Sequence, residues 1–140
     1  MAGFISNAGS QGLQDGSIDW VNHDIRARLV LSSETLSLDS TFMTGIGDAL
    51  TDTALSGKTG PTRDDATDRV TIGASDPTFT AVAHNDPLDL MDRVAVFKFV
   101  TNDADSIFMG AFDIVPKNPN GADVLVTLNG VVFYTQQAAV

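Results

Sequence analysis

Of the 18 acidic residues in this chain, Glu34 is the only glutamate, and every other acid is aspartate. That single bias constrains the fold more than any motif. Surface helices draw on Glu, Lys and Ala, whereas the short Asp side chain competes for backbone hydrogen bonds and settles in turns and caps. Lysine is equally scarce, with only Lys58, Lys98 and Lys117. Abundant Thr and Val, together with 12 glycines, favour strands joined by tight turns. The expected class is all-β, an antiparallel β-sandwich or barrel with Asp-rich turns.

The chain has 140 residues, 43% of them hydrophobic, which suits one domain with a real core. The net charge of -10 and a pI near 4.2 remove the basic footprint of a nucleic-acid binder and disfavour an anionic membrane surface. No cysteine is present, so there is no disulfide framework or thiolate chemistry. No run reaches the roughly 18 apolar residues of a transmembrane span. Met1-Ala2-Gly3-Phe4 lacks the basic and apolar regions of a signal peptide. The chain reads as a soluble acidic domain.

Along the chain, residues 1–17 carry Gly3, Gly9, Gly12 and Gly16 among scattered apolar side chains. They read as a short helix or an arm that orders against a partner, because each interior glycine costs a helix about 1 kcal/mol relative to Ala. Residues 18–140 read as a single β domain. Ile25, Ala27, Leu29 and Leu31 alternate with Arg26, Arg28 and Val30, the period of a half-buried strand. Residues 40–50 fit one helical turn or a packed loop, residues 53–58 a weak strand, and residues 60–68 an exposed Asp-rich loop. Strands are expected over 69–73 and 78–83. In residues 91–101, Val94, Val96 and Val100 face away from Ala95, Phe97 and Phe99, so both faces should be covered. Residues 102–105 read as a hairpin loop with 107–114 returning. Asn129-Gly130 supplies the two residues tolerant of positive φ that a type I′ hairpin requires, between strands 124–128 and 131–135.

Catalytic signatures are missing. Gly57-Lys58-Thr59 ends like a phosphate-binding loop, but Asp52 stands where that motif needs its first glycine. Asp64, Asp65 and Asp68, like Asp103 and Asp105, lack EF-hand order and read as turn aspartates. His23 and His84 each sit beside Asn and Asp, with no nucleophile or oxyanion donor assigned to either. Arg26 and Arg28 share one face of a strand and should pair with Asp on the same sheet. Phe4 and Trp20 suit either the core or a contact surface, and Ile5 and Leu13 offer further apolar contacts to a partner. No metal, nucleotide or other cofactor is expected.

One ordered series of segments resembles a known group. Gly16-Ser17-Ile18-Asp19-Trp20 leads into Ile25-Arg26-Ala27-Arg28-Leu29-Val30, and Leu55-Ser56-Gly57-Lys58-Thr59 precedes Phe79-Thr80-Ala81-Val82. Val96-Phe97-Lys98-Phe99-Val100 and Pro119-Asn120-Gly121-Ala122-Asp123-Val124 follow, then a terminal strand. Over roughly residues 16–135 this resembles the small virion proteins of tailed bacteriophages encoded beside the major capsid protein, some of which are capsid cement or decoration proteins. Relatives commonly show Asn-Gly-Gly-Asp where this chain has Asn120-Gly121-Ala122-Asp123, and residues 60–76 match poorly.

The resemblance implies a non-enzymatic structural protein on the outer surface of a phage head, with the major capsid protein as partner and a homotrimer as the usual assembly. Phe4, Ile5, Leu13 and Trp20 are then the candidate self- or capsid-interface residues. A neck, head-completion or tail component, and a carbohydrate-binding β-sandwich for host attachment, are the alternatives.

Overall fold

A computed structural model describes residues 3–66 and 69–136. It is mostly antiparallel strand with one short α-helix. In chain order the elements are β1 (Gly3–Ile5), α1 (Asn7–Asp15), β2 (Ile25–Leu31), a single 3-10 turn (Ala49–Thr51), β3 (Thr53–Ala54), β4 (Thr59–Asp64), β5 (Arg69–Gly73), β6 (Thr78–Phe79), β7 (Met91–Lys98), β8 (Ile107–Lys117), β9 (Val124–Leu125) and β10 (Phe133–Gln136). No described helix is long and apolar enough to cross a membrane.

The main sheet has the order β1-β8-β7-β2-β3, and its neighbours all run antiparallel. A three-stranded sheet, β10-β5-β4, and the ribbon β6-β9 are separate from it. The alternation in β2 and β7 sends one set of side chains to each face. Ile25, Ala27, Leu29, Val94 and Val96 join Met109 and Phe112 in a core closed by Ile72, Phe79, Val124 and Phe133 from the smaller sheets. The architecture is thus sandwich-like. On the opposite face, Val30, Ala95, Phe97, Phe108 and Ala111 are covered by an irregular segment that contributes Met43 and Ile46. Both faces of β7 are covered, as its two apolar registers anticipate.

The N-terminal segment is part of this fold. Residues 3–5 pair with β8, from Gly3 opposite Phe112 to Ile5 opposite Gly110. Ser6 is fully buried and caps α1: its hydroxyl accepts from Gly9 N at 3.0 Å and donates to the Phe108 carbonyl at 2.6 Å. Gly9 is the point of contact with the sheet, since a β-carbon there would lie 2.4 Å from the Met109 carbonyl oxygen. Gly9, which weakens this helix in isolation, is what lets it sit on β8, and Gly12 makes room for Ile18. Of the two readings of this segment, the short helix is the one the structure shows.

Two further expectations need correction. Of residues 60–68, read as an exposed loop, residues 60–64 belong to the edge strand β4, which pairs with β5. Pro61 is tolerated there because an edge strand presents one side to solvent and needs no N–H on it. Asp68 of the same stretch lies outside the described residues. Asn129 and Gly130 do take positive φ, 52° and 77°, and Val131 N bonds to Leu128 O at 3.1 Å. The tight turn is present but not the hairpin. The strands flanking it diverge, β9 to β6 and β10 to β5.

Candidate functional site

The four candidate contact residues separate into three environments. Trp20 is 2% exposed and its indole Nε1 donates to the Gly73 carbonyl at 3.0 Å, so it is a core residue and not a surface anchor. Phe4 is half-buried and packs edge-on to Phe108, 6.0 Å between ring centres, on the loop-covered face. Ile5 and Leu13 meet on the other side. They line a cleft of about 200 Å³ between α1 and the three-stranded sheet, opposite Pro61, Val70, Ile72 and Phe133. Ser10 and Gln14 are its polar members, and among the described residues no charged side chain lines it. In so acidic a chain, an uncharged cleft is a place where apolar contact carries no like-charge penalty.

The aspartates are accounted for mostly by turns. Asp15 accepts from Ser17 N at 2.8 Å, Asp48 from Leu50 N at 2.9 Å, Asp76 from Leu128 N at 2.7 Å, and Asp123 from Ala81 N at 2.7 Å. Asp19 takes Val21 N and Asn22 N, and Asp89 takes Ser33 N with the hydroxyls of Ser32 and Ser33. The partners of Asp15, Asp19 and Asp89 hold these carboxyls below the usual aspartate range: the Ser17 side chain for Asp15, the Asn22 side chain for Asp19, and the two serine hydroxyls for Asp89. Acidity here builds loops.

Arg28 is the exception that sequence patterning understates. Its side chain is fully buried, bidentate to Asp52 at 2.6 and 2.9 Å and to Asp103 at 3.0 and 2.8 Å. It also donates to the Ile46 carbonyl at 2.7 Å, and lies 5.0 Å from the Phe97 ring centre. Burial opposes the charge on Arg28, but the hydrogen bonds it donates to both aspartates, with their charges, outweigh it, and its pKa rises. The Arg28 guanidinium in turn lowers Asp103. Neither aspartate is on the sheet that carries Arg28, contrary to the same-sheet expectation. Arg26 does pair locally, with Asp24 at 2.8 Å, and lies over the Phe99 ring at 3.6 Å. The group stitches two loops to β2, the β2–β3 connection through Ile46 and Asp52 and the β7–β8 loop through Asp103.

The remaining candidates are each occupied nearby. Lys58 donates to the His23 carbonyl, and Thr59 begins β4, which makes Gly57-Lys58-Thr59 a turn into a strand. His23 Nδ1 accepts from Asp19 N at 2.9 Å, and His84 Nε2 lies 2.7 Å from the Asp89 carbonyl. Asp65 pairs with Arg63 at 2.7 Å. Among the described residues, no group of three or more His, Asp or Glu side chains gathers in a metal-holding arrangement.

What sequence reading passes over is the exposed apolar set: Leu50 at 92%, Leu88 at 95%, Val115 at 73% and Leu125 at 61%. Leu50, Leu88 and Leu125 lie in turns or a two-residue strand, where alternation gives no warning of exposure, and Val115 lies near the end of β8. No family model matches the chain, and no curated protein or solved structure was found to be similar to it.

Proposed function

We propose that this chain is a structural virion protein that binds and stabilises the outer surface of an assembled phage capsid, acting as a homotrimer. The observation that supports it best is a surface arranged for contact. Most described cations are tied to their own carboxylates or carbonyls, while apolar side chains stand exposed and the Ile5–Leu13 cleft is free of charge. The segment resemblance supplies the capsid context by analogy. A clamp that recognises only the assembled arrangement of shell subunits stabilises it by mass action. Three linked copies would turn individually weak contacts into firm attachment.

A charge of -10 per protomer opposes trimer formation, so apolar contact has to dominate between copies. Raising salt should then leave the trimer intact or favour it. The deciding experiment mixes purified protein with empty shells that lack it and, separately, with unassembled capsid subunits. Binding to shells alone supports the proposal. Equal binding to both, or a position inside the particle or only at the tail, overturns it.

A further inference from the structure

A second, larger cleft of about 590 Å³ lies between residues 47–51 and residues 80–84. Its floor is apolar, formed by Leu29, Leu31, Val82 and Met91, and Leu50 stands at its rim almost wholly exposed. Glu34 and Asp48 also line it, and among the described residues no Lys or Arg does. Each carboxylate spends one oxygen on the adjoining loop, Glu34 Oε2 on Gly47 N at 2.7 Å and Asp48 Oδ1 on Leu50 N at 2.9 Å. The other oxygen of each has no partner among the described residues.

The far wall adds an independent feature. Val82 N and O, and His84 O, bond to the turn at residues 120–122: Val82 N to Ala122 O at 3.0 Å, Gly121 N to Val82 O at 2.7 Å, and Asn120 N to His84 O at 2.8 Å. Successive residues of an extended chain direct their N–H and C=O to opposite sides. Ala83, between them, is exposed and lines the cleft, and neither its N–H nor its C=O has a partner among the described residues. Residues 82–84 are thus one side of a ribbon whose other side is an open edge.

We infer that this cleft docks an extended peptide segment in which apolar side chains alternate with Lys or Arg. The peptide main chain pairs with Ala83 as an added strand, its apolar side chains enter between Leu50 and Val82, and its cations meet the free oxygens of Glu34 and Asp48. Main-chain pairing supplies a generic part of the affinity, and the alternating side chains supply selectivity. The acidic walls attract a basic segment and repel an acidic one. The inference rests on reading the chain as a binding protein, and not on where in a virion it sits.

The test uses the full chain labelled with nitrogen-15 and three terminally blocked peptides: Lys-Val-Lys-Leu-Lys, Asp-Val-Asp-Leu-Asp and Lys-Ser-Lys-Ser-Lys. Amide shifts from the first peptide should concentrate at residues 47–51 and 80–84, and both controls should bind at least tenfold more weakly. Leu50→Lys places a cation on an exposed rim without touching the core, and should weaken the first peptide at least tenfold. Leu88→Lys, at an equally exposed leucine outside the cleft, should not. Equal shifts from the three peptides, shifts centred elsewhere, no shifts at millimolar peptide, or equal effects of the two lysine variants would each overturn the inference. Leu50→Lys protein that loses the peptide yet still decorates shells supports the inference and leaves the capsid reading standing, whereas wild-type protein that takes the peptide but binds no shells overturns the capsid reading alone.

Discussion

The two faces of the main sheet are covered by different means. One face meets strands, so cover and covered surface are both apolar and the cover satisfies its own backbone groups by pairing. The other meets an irregular segment around Met43 and Ile46 with only one isolated bridge to the sheet, between Phe42 and Ile107. That segment is held by Arg28, which reaches Ile46, Asp52 and Asp103 from a single buried position on β2. A loop without ladder hydrogen bonds needs directional anchors from side chains. The anchor chosen is a desolvated charge, which is strong when complete and costly when any partner is lost.

The most damaging change should be the one that strikes both faces together. Phe4 packs on the loop-covered core and Ile5 on the strand-covered core, so deleting residues 1–15 removes cover from each. We expect a large loss of stability in denaturant unfolding of the monomer. Near-wild-type unfolding would show that the segment serves assembly instead, as its glycines suggest from sequence alone.

Arg28→Ala comes next, with an expected loss of about 3–5 kcal/mol, because it strands two carboxylates at the loop-covered face. Arg28→Met combined with Asp52→Asn and Asp103→Asn should recover much of that loss. A triple variant no better than Arg28→Ala would mean that packing, and not the stranded charge, dominates at this site.

Acid should then separate the faces. The folded-state pKa of Asp103 is lowered by the Arg28 guanidinium, so its contribution is fully present above the ordinary aspartate value of 3.8 and is lost as pH falls through the lowered value. NMR signals of Val30, Met43 and Ile46 should change at a higher pH than the fluorescence of Trp20, the single tryptophan, which sits in the strand-covered core. Simultaneous loss of both signals would abolish the distinction between the faces.

The smallest effect is expected at the Asn129-Gly130 turn, remote from the Arg28 anchor. Gly130 has φ of 77° and open space around its α-carbon, so Gly130→Val should cost only the backbone strain, about 1–2 kcal/mol, in thermal unfolding. A neutral substitution would show that the turn relaxes to another type.

How far such contrasts were legible follows from the range of the interactions behind them. The Ile25–Leu31 strand, the β7–β8 hairpin and the positive-φ pair at Asn129-Gly130 are local patterns, and sequence reading finds them. The divergence of β9 and β10 is a choice of distant partners, which neighbouring residues do not encode. Gly9 looks like a helix defect until Met109 lies against it, and Arg28 looks like a residue paired with Asp on its own sheet until the loops carrying Asp52 and Asp103 close over it. The same limit governs the sites. Ile5 and Leu13 were legible as apolar contacts, whereas the cleft they share depends on Val70 and Phe133. The segments behind the phage resemblance supply chiefly core and turns, including Ile18, Trp20, Phe79, Val82 and Val124, so they speak to the fold first.

The pairing of β1 with β8 has a consequence for synthesis. Gly3 finds its partner only when Phe112 has been made, 109 residues later. At about 5–20 residues per second, the interval is on the order of 5–20 s. Throughout it, Phe4 and Ile5 travel ahead of the chain with no strand to join, and the main sheet cannot close at that edge. Residues 3–5 thus wait longest for native neighbours that lie far along the chain, and a pause in translation before residue 107 would prolong the time that both apolar side chains spend in water.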